Sequence, residues 1–236
     1  MEYQYIRQAM LLGEDAIDKL HDSHVAVFGI GGVGSYCAEA LARAGIGTLT
    51  LVDDDIVSIS NLNRQLIALH STVGKPKVEV MEERIRDIDP NCRVISVNSR
   101  YEASTREAFF SETMDYIADA IDSVTCKIDL IHTALSRNVP IISSMGTGNK
   151  LDPSKFQIAD LSKTSGCPLA RVMRKELRDR GITHHTVLYS TEPPCKPVFQ
   201  LNEPDRRSVP GSVSWVPSCA GLMMAGYIIQ QLLKVE

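Results

Sequence analysis

His24-Val25-Ala26-Val27-Phe28-Gly29-Ile30-Gly31-Gly32-Val33-Gly34 is the stretch whose reading decides the fold. Its first half is an apolar run of strand length, its middle is a glycine loop, and a helix follows from about Val33. Glycines at these places let the backbone turn sharply and lie against an anion. The helix start adds unpaired amide hydrogens and the positive end of its dipole. Gly29, Gly31 and Gly32 are therefore candidate nucleotide-cradle residues. A second apolar run, Thr48 to Val52, ends in Asp53-Asp54-Asp55. An acid at the tip of the second strand, about 20 residues past the glycines, is the usual ribose-hydroxyl ligand of a mononucleotide-binding half, which singles out Asp53. Asp54 and Asp55 read as solvated turn residues.

Glycines plus acid suit a nicotinamide-dependent oxidoreductase as well as any other nucleotide enzyme. The residues further on separate the two. Ser60-Asn61-Leu62-Asn63-Arg64-Gln65 and Gly74-Lys75-Pro76-Lys77 place an arginine and lysines just past the ribose acid. A hydride-transfer enzyme has no triphosphate for them to hold. A nucleoside triphosphate does need them, because guanidinium and ammonium groups stabilise the charge that builds when the α-phosphorus is attacked.

Strand and helix patterns alternate along the chain. A helix is expected over Arg7 to Leu20, another over Lys77 to Asp89 closed by Pro90, and a third over Val124 to Arg137. Strands are expected at Cys92 to Val97, Asp115 to Ala120 and Pro140 to Ser143, and Ser104 to Glu107 has the form of a capping box. Such alternation implies parallel pairing with right-handed crossovers, which gathers the tips carrying Gly29, Asp53 and Asp122 along one edge. The fold class is α/β: a Rossmann-like, doubly wound, mainly parallel sheet with additional C-terminal strands and helices. Residues 1–236 read as one domain, with a nucleotide-binding core over 1–150 and a substrate side over 151–236.

The 236 residues are 44% hydrophobic and 23% charged, enough for one well-filled core. A net charge of −4 and a pI near 5.9 exclude a chain coated in basic residues, so nucleic-acid contact requires a local patch. Met1-Glu2-Tyr3 opens no signal peptide, no apolar run approaches the 18 or so residues of a membrane span, and a cytoplasmic protein is expected. Six scattered cysteines without a Cys-x-x-Cys pair give no zinc signal, and in a reducing compartment they stay free.

From Arg7 to about Pro140 the chain resembles the adenylating enzymes of the ubiquitin-activating type, which include the thiamin-pathway and molybdopterin-pathway adenylyltransferases. Ser143-Ser144-Met145-Gly146, the run Phe156 to Thr164, Pro168-Leu169-Ala170 and the C-terminal helix resemble one branch, the tRNA threonylcarbamoyladenosine dehydratases. The resemblance implies that Gly32 and Asp53 hold ATP, that Ser60, Asn61, Asn63, Arg64 and Lys77 take its ribose and phosphates, and that Asp122 holds a magnesium ion with Ser123 beside it. It implies a homodimer in which Arg7 reaches the other subunit's α-phosphate site. The implied reaction is ATP-dependent cyclisation of the modified adenosine beside the tRNA anticodon, with Arg7, Arg64, Lys77 and Asp122 as catalytic residues. An adenylyltransferase acting on a ubiquitin-like sulfur carrier is the rival reading, and a nicotinamide-binding oxidoreductase a second. Whether a monovalent cation or a sulfur-transfer partner is needed stays open.

Phe156 to Asp160 and Thr186 to Ser190 alternate as strands do. Between them lies a helix with Leu169, Met173 and Leu177 on one side and Arg171, Arg174, Lys175 and Arg178 on the other. On an arbitrary helix such a stripe is a solvated face, whereas an RNA substrate would give it phosphates to bind. Asp122-Ser123 likewise has a bland reading as a helix N-cap, Arg7 one as an incidental packing-helix arginine, and Cys219 one as a small buried hydrophobe. His184, His185, Cys167 and Cys195 have no metal-ligand spacing. Glu192 to Gly211 reads as a loop, mobile until substrate arrives, and Trp215 to Lys234 as a helix buried at a core or dimer surface.

Overall fold

In the computed structural model, which describes residues 2–200 and 209–234, strand β1 (His24–Phe28) is buried along its whole length. Val25 and Val27 enter one core and Ala26 and Phe28 the other, as the two-residue period of a strand requires. A strand apolar on both faces must be central. It pairs in parallel with β2 (Thr48–Val52), which pairs with β3 (Arg93–Val97), and on its other side with β4 (Tyr116–Asp119). Beyond β4 come β5 (Ile141–Ser144), then β7 (Thr186–Ser190), then the edge strand β6 (Phe156–Asp160), antiparallel to β7. The order β3-β2-β1-β4-β5-β7-β6 reverses direction between β1 and β4, and such a reversal opens a crevice at the carboxyl ends of the strands.

Helices cover both faces. After α1 (Ile6–Leu12) and α2 (Glu14–His21), helix α3 (Gly34–Arg43) and helix α4 (Lys77–Ile88) lie on the Val25 face. Helices α5 (Arg106–Phe109), α6 (Val124–Ser136) and α7 (Pro168–Arg178) lie on the Phe28 face, and α8 (Trp215–Leu233) returns to the first. The doubly wound, mainly parallel sheet expected from the sequence is thus realised.

Several local expectations change. The single helix over Arg7 to Leu20 is two helices, because Gly13 adopts φ 88°, ψ 160°, which no helix accommodates. The box at Ser104 to Glu107 does not form: α5 starts at Arg106 with Thr105 as an N-cap without a side-chain cap bond, its hydroxyl donating back to the Glu102 carbonyl at 3.3 Å instead. A capping box forms instead around the 3-10 turn Ile59–Asn61, between Ser58 and Asn61. Helix α8 is 19 residues long and, by length and composition, apolar enough to cross a membrane, so the expectation that no such run exists is amended. Five of its side chains, Val216, Ala220, Met224, Ala225 and Ile228, are fully buried in the first core, which is the position of a core helix.

The expected loop from Glu192 to Gly211 falls partly on residues 201–208, outside the described residues. Its two ends are tied to one residue. Asn149, at φ 57°, accepts from the Cys195 amide at 2.7 Å through its carbonyl and from the Gly211 amide at 2.7 Å through Oδ1. Its own amide donates to the Gly211 carbonyl at 2.7 Å. Lys150, 3% exposed, donates its ammonium to the Glu192 carbonyl.

The N-terminal helices are fastened by Tyr5, whose buried hydroxyl donates to Asp89 Oδ2 at 2.6 Å beyond the end of α4. Burial, with the neighbouring Asp89 carboxylate, raises the phenol's pKa, so it stays a donor. Replacing Tyr5 by Phe deprives a buried carboxylate of one donor. The expected cost is about 1–3 kcal/mol, read as a lower urea midpoint at unchanged m-value.

Candidate active site

The crevice is shaped by backbone proximity. Gly29 sits at φ 88°, and a Cβ there would lie 2.7 Å from the Ala120 carbonyl oxygen at the end of β4. A Cβ on Gly34 would lie 1.7 Å from the Gly29 carbonyl oxygen. No side chain fits at either place. Gly31 differs: an added Cβ would meet only Gln65 Nε2, at 3.8 Å, so the protein leaves that side of the loop open. At Gly32 the neighbours are Pro217 of α8 and, at 3.6 Å, the Cγ of Arg64.

Asp53 grips this loop from the tip of β2. Its Oδ2 accepts from the Ile30 amide at 2.6 Å and its Oδ1 from the Asp55 amide at 2.9 Å. Burial raises its pKa against the opposing pull of Lys77 and these amides, so a further donor, such as a ribose hydroxyl, would stabilise the carboxylate. Lys77, 4% exposed at the start of α4, reaches Asp55 Oδ2 at 2.6 Å and Asp53 Oδ1 at 3.8 Å. Asp55 is therefore more than the solvated turn residue expected: its carboxylate, 67% exposed, is the principal partner of a buried ammonium. The carboxylates of Asp53, Asp54 and Asp55 lie within 4.8 Å of one another.

Arg64 is placed otherwise. Its Nη1 donates to the Ser60 carbonyl at 2.7 Å and to Asn63 Oδ1 at 2.9 Å, both neutral acceptors. Burial lowers its pKa, and among the described residues no carboxylate pairs with it. A half-buried guanidinium packed against Gly32 and held only by neutral acceptors has the chemistry to accept an anion such as a phosphate. The turn that carries it is shaped by the other expected residues. Asn61 Oδ1 accepts from the Ser58 amide at 3.1 Å, Ser60 Oγ lies 3.0 Å from Ser58 Oγ, and Asn63 Nδ2 donates to the Ser212 carbonyl at 2.9 Å.

Asp122 is exposed in the turn between β4 and α6, on the same edge as the glycine loop, and Ser123 is the N-cap of α6 without a side-chain cap bond. Arg7 is exposed on α1, and among the described residues it makes no ion pair. Of the basic stripe on α7, Arg171, Lys175 and Arg178 are exposed and line an open groove of about 970 Å³. Arg174 turns inward, donating to the Thr164 carbonyl at 2.8 Å and to the Thr164 hydroxyl. His185 is buried on Ser143 and Cys195 lies 3.8 Å from Glu192 Oε1, so the fold does not gather the four candidate histidines and cysteines.

Sequence reasoning passed over Gln65. Its side chain faces Gly31 from below, 8% exposed, with Oε1 lacking a partner among the described residues. The only available signal was its place next to Arg64.

A glycine cradle at the switch point, a ribose-type acid and an unpaired arginine over the loop define a nucleotide-binding α/β enzyme fold. Residues 5–236 match the ThiF family, and the chain belongs to it. The chain is similar to the tRNA threonylcarbamoyladenosine dehydratase of Bacillus subtilis, with 46% identity across 99% of this chain and 96% of the relative. It is also similar to the crystal structure of the Escherichia coli tRNA N6-threonylcarbamoyladenosine dehydratase in complex with ATP. That likeness has a TM-score of 0.89 and 36% identity over 98% of this chain and 93% of the other. The molybdopterin-synthase adenylyltransferase of Escherichia coli is 32% identical over 76% of this chain and 71% of its own length.

The two kinds of glycine give a direct test. Gly34→Ala should cost several kcal/mol or prevent folding, since backbone must move. Gly31→Ala should leave the melting temperature within about 2 °C, so that any loss of ATP affinity measured by titration reports the ligand and not the protein.

Proposed function

We propose that the chain is an ATP-dependent tRNA threonylcarbamoyladenosine dehydratase. The observation that carries this reading is Arg64: a half-buried cation held by neutral acceptors over a glycine loop, in a chain alike over nearly its whole length to dehydratases of that name. In this reading the substrate carboxylate attacks the α-phosphorus of ATP and pyrophosphate departs with the bridging oxygen. A neighbouring atom of the same side chain then displaces AMP to close the ring. AMP carries away the carboxylate oxygen, so water is lost without ever being expelled from a carboxylate.

The protein's part is orientation and charge. Gly31 and Gly32 face the phosphates, Asp53 takes the ribose, and Arg64 neutralises the leaving pyrophosphate. Lys77, held by Asp55, supplies a second positive charge that can turn from carboxylate to phosphate. Magnesium, which in nucleotide sites keeps one or two protein carboxylates, would take Asp122. It would supply charge neutralisation on the phosphates. Tyr3, Met10 and Leu11 around α1 are 88%, 80% and 86% exposed, an apolar patch that suits a second copy of the chain and favours a homodimer in which Arg7 serves the other subunit. The chain acts as one adenylation unit, with residues 151–236 on the substrate side, and the basic groove of α7 receives tRNA phosphates.

The reading is tested by mass spectrometry of tRNA nucleosides after incubation with enzyme and ATP. A mass loss of one water from threonylcarbamoyladenosine is expected. Pyrophosphate exchange stimulated by a ubiquitin-like carrier protein, and not by modified tRNA, would instead favour the sulfur-carrier reading. Arg64→Ala and Lys77→Ala should each lower adenylation about 100-fold or more, as loss of a charge-stabilising group does. Normal turnover by either variant would remove that residue from the mechanism. Arg171→Ala with Lys175→Ala should weaken tRNA binding and reduce the slope of log K against log salt by about 2, whereas an unchanged slope makes the stripe plain surface.

A further inference from the structure

Lys127 and Asp119 form an ion pair at 2.8 Å with neither side chain exposed at all. Taking two charges fully out of water is costly, and an apolar pair of similar volume serves stability as well or better. The pair is therefore best explained by what it holds. Asp119 is the last residue of β4, and its second oxygen, Oδ1, accepts from the Ile121 amide at 3.1 Å. Lys127 lies one turn into α6 and donates its own amide to the Ser123 carbonyl at 2.9 Å, closing the first turn of that helix. The nine-residue span 119–127 is thus cross-linked at its ends, and Asp122 stands inside it. The same span is pinned from below, where the Ala120 amide donates to the Phe28 carbonyl at 2.8 Å.

Among the described residues no other side chain pairs with Lys127. His185 approaches from β7 but is bonded to Ser143 Oγ at 2.8 Å and held neutral, its pKa pushed down to about 3 by burial and by the Lys127 charge itself. The ammonium is therefore committed to Asp119.

We infer that Lys127 is a positioning residue: acting through Asp119, it sets the turn that presents Asp122, and with it the magnesium affinity of the nucleotide site. This rests on the assignment of magnesium to Asp122 proposed above. Supporting side chains of this kind change metal affinity by about 10- to 100-fold when removed.

The experiment uses the full chain with Mg2+, ATP and AMP as probes, and the variants Lys127→Met, Asp119→Leu with Lys127→Met, and Asp122→Ala. The double variant buries no charge and should fold. Its half-saturating Mg2+ for ATP binding should rise about 10-fold, while its affinity for AMP without magnesium and its melting temperature stay near those of the parent. A purely structural pair would not separate those readouts. Unchanged Mg2+ dependence in a folded double variant overturns the inference, as does a double variant that cannot fold, which would make the pair a stability element. If Asp122→Ala raises the Mg2+ requirement and the double variant does not, this inference alone fails. If Asp122→Ala also leaves it unchanged, the magnesium assignment itself falls.

Discussion

The site depends on how closely the turn after β1 approaches the turn after β4. Parallel pairing sets Phe28 beside Asp119, and one residue further the two chains come so near that Gly29 has no room for a β-carbon against Ala120. That closeness fixes the first turn of the loop at a glycine with φ 88°. It also exposes the Ile30 amide to Asp53, which joins the tip of β2 to the same loop. Three strand ends are so fastened to one another before any nucleotide arrives, and preorganisation of this kind is what electrostatic catalysis requires.

The two central cations differ in how they are held. Lys77 is buried in carboxylates, which stabilises its charge at the expense of its freedom. Arg64 lies against the loop with carbonyl and amide acceptors only, so burial acts on its charge uncompensated. In the proposed reading, an incoming polyphosphate would relieve Arg64 directly but would have to compete with Asp55 for Lys77. On that reading the electrostatic gain on binding would be larger at the arginine.

Much of this could be read from the chain itself. β1 is legible because it is apolar on both faces, the cradle because glycines follow a strand, and Asp53 because it ends the next one. What could not be read depends on partners distant in sequence. Asp55 looks like a turn residue until Lys77, 22 positions on, is seen against it. Arg174 belongs by spacing to a surface stripe, yet Thr164 draws it inward, a contact set by how α7 docks and not by helical period. Gly13 lies in a run with helical periodicity on both sides, and only its backbone angles reveal the break. The buried pair Lys127–Asp119 is a lysine in a helix and an acid in a strand as far as sequence goes, and nothing in the spacing announces that both are dry.

Asn149 joins parts of the chain that lie far apart in sequence. By bonding the backbone at Cys195 and at Gly211, it holds two parts of the chain 16 positions apart against one residue. A single asparagine in a left-handed backbone turn thereby sets both where the chain leaves after β7 and where it returns before α8.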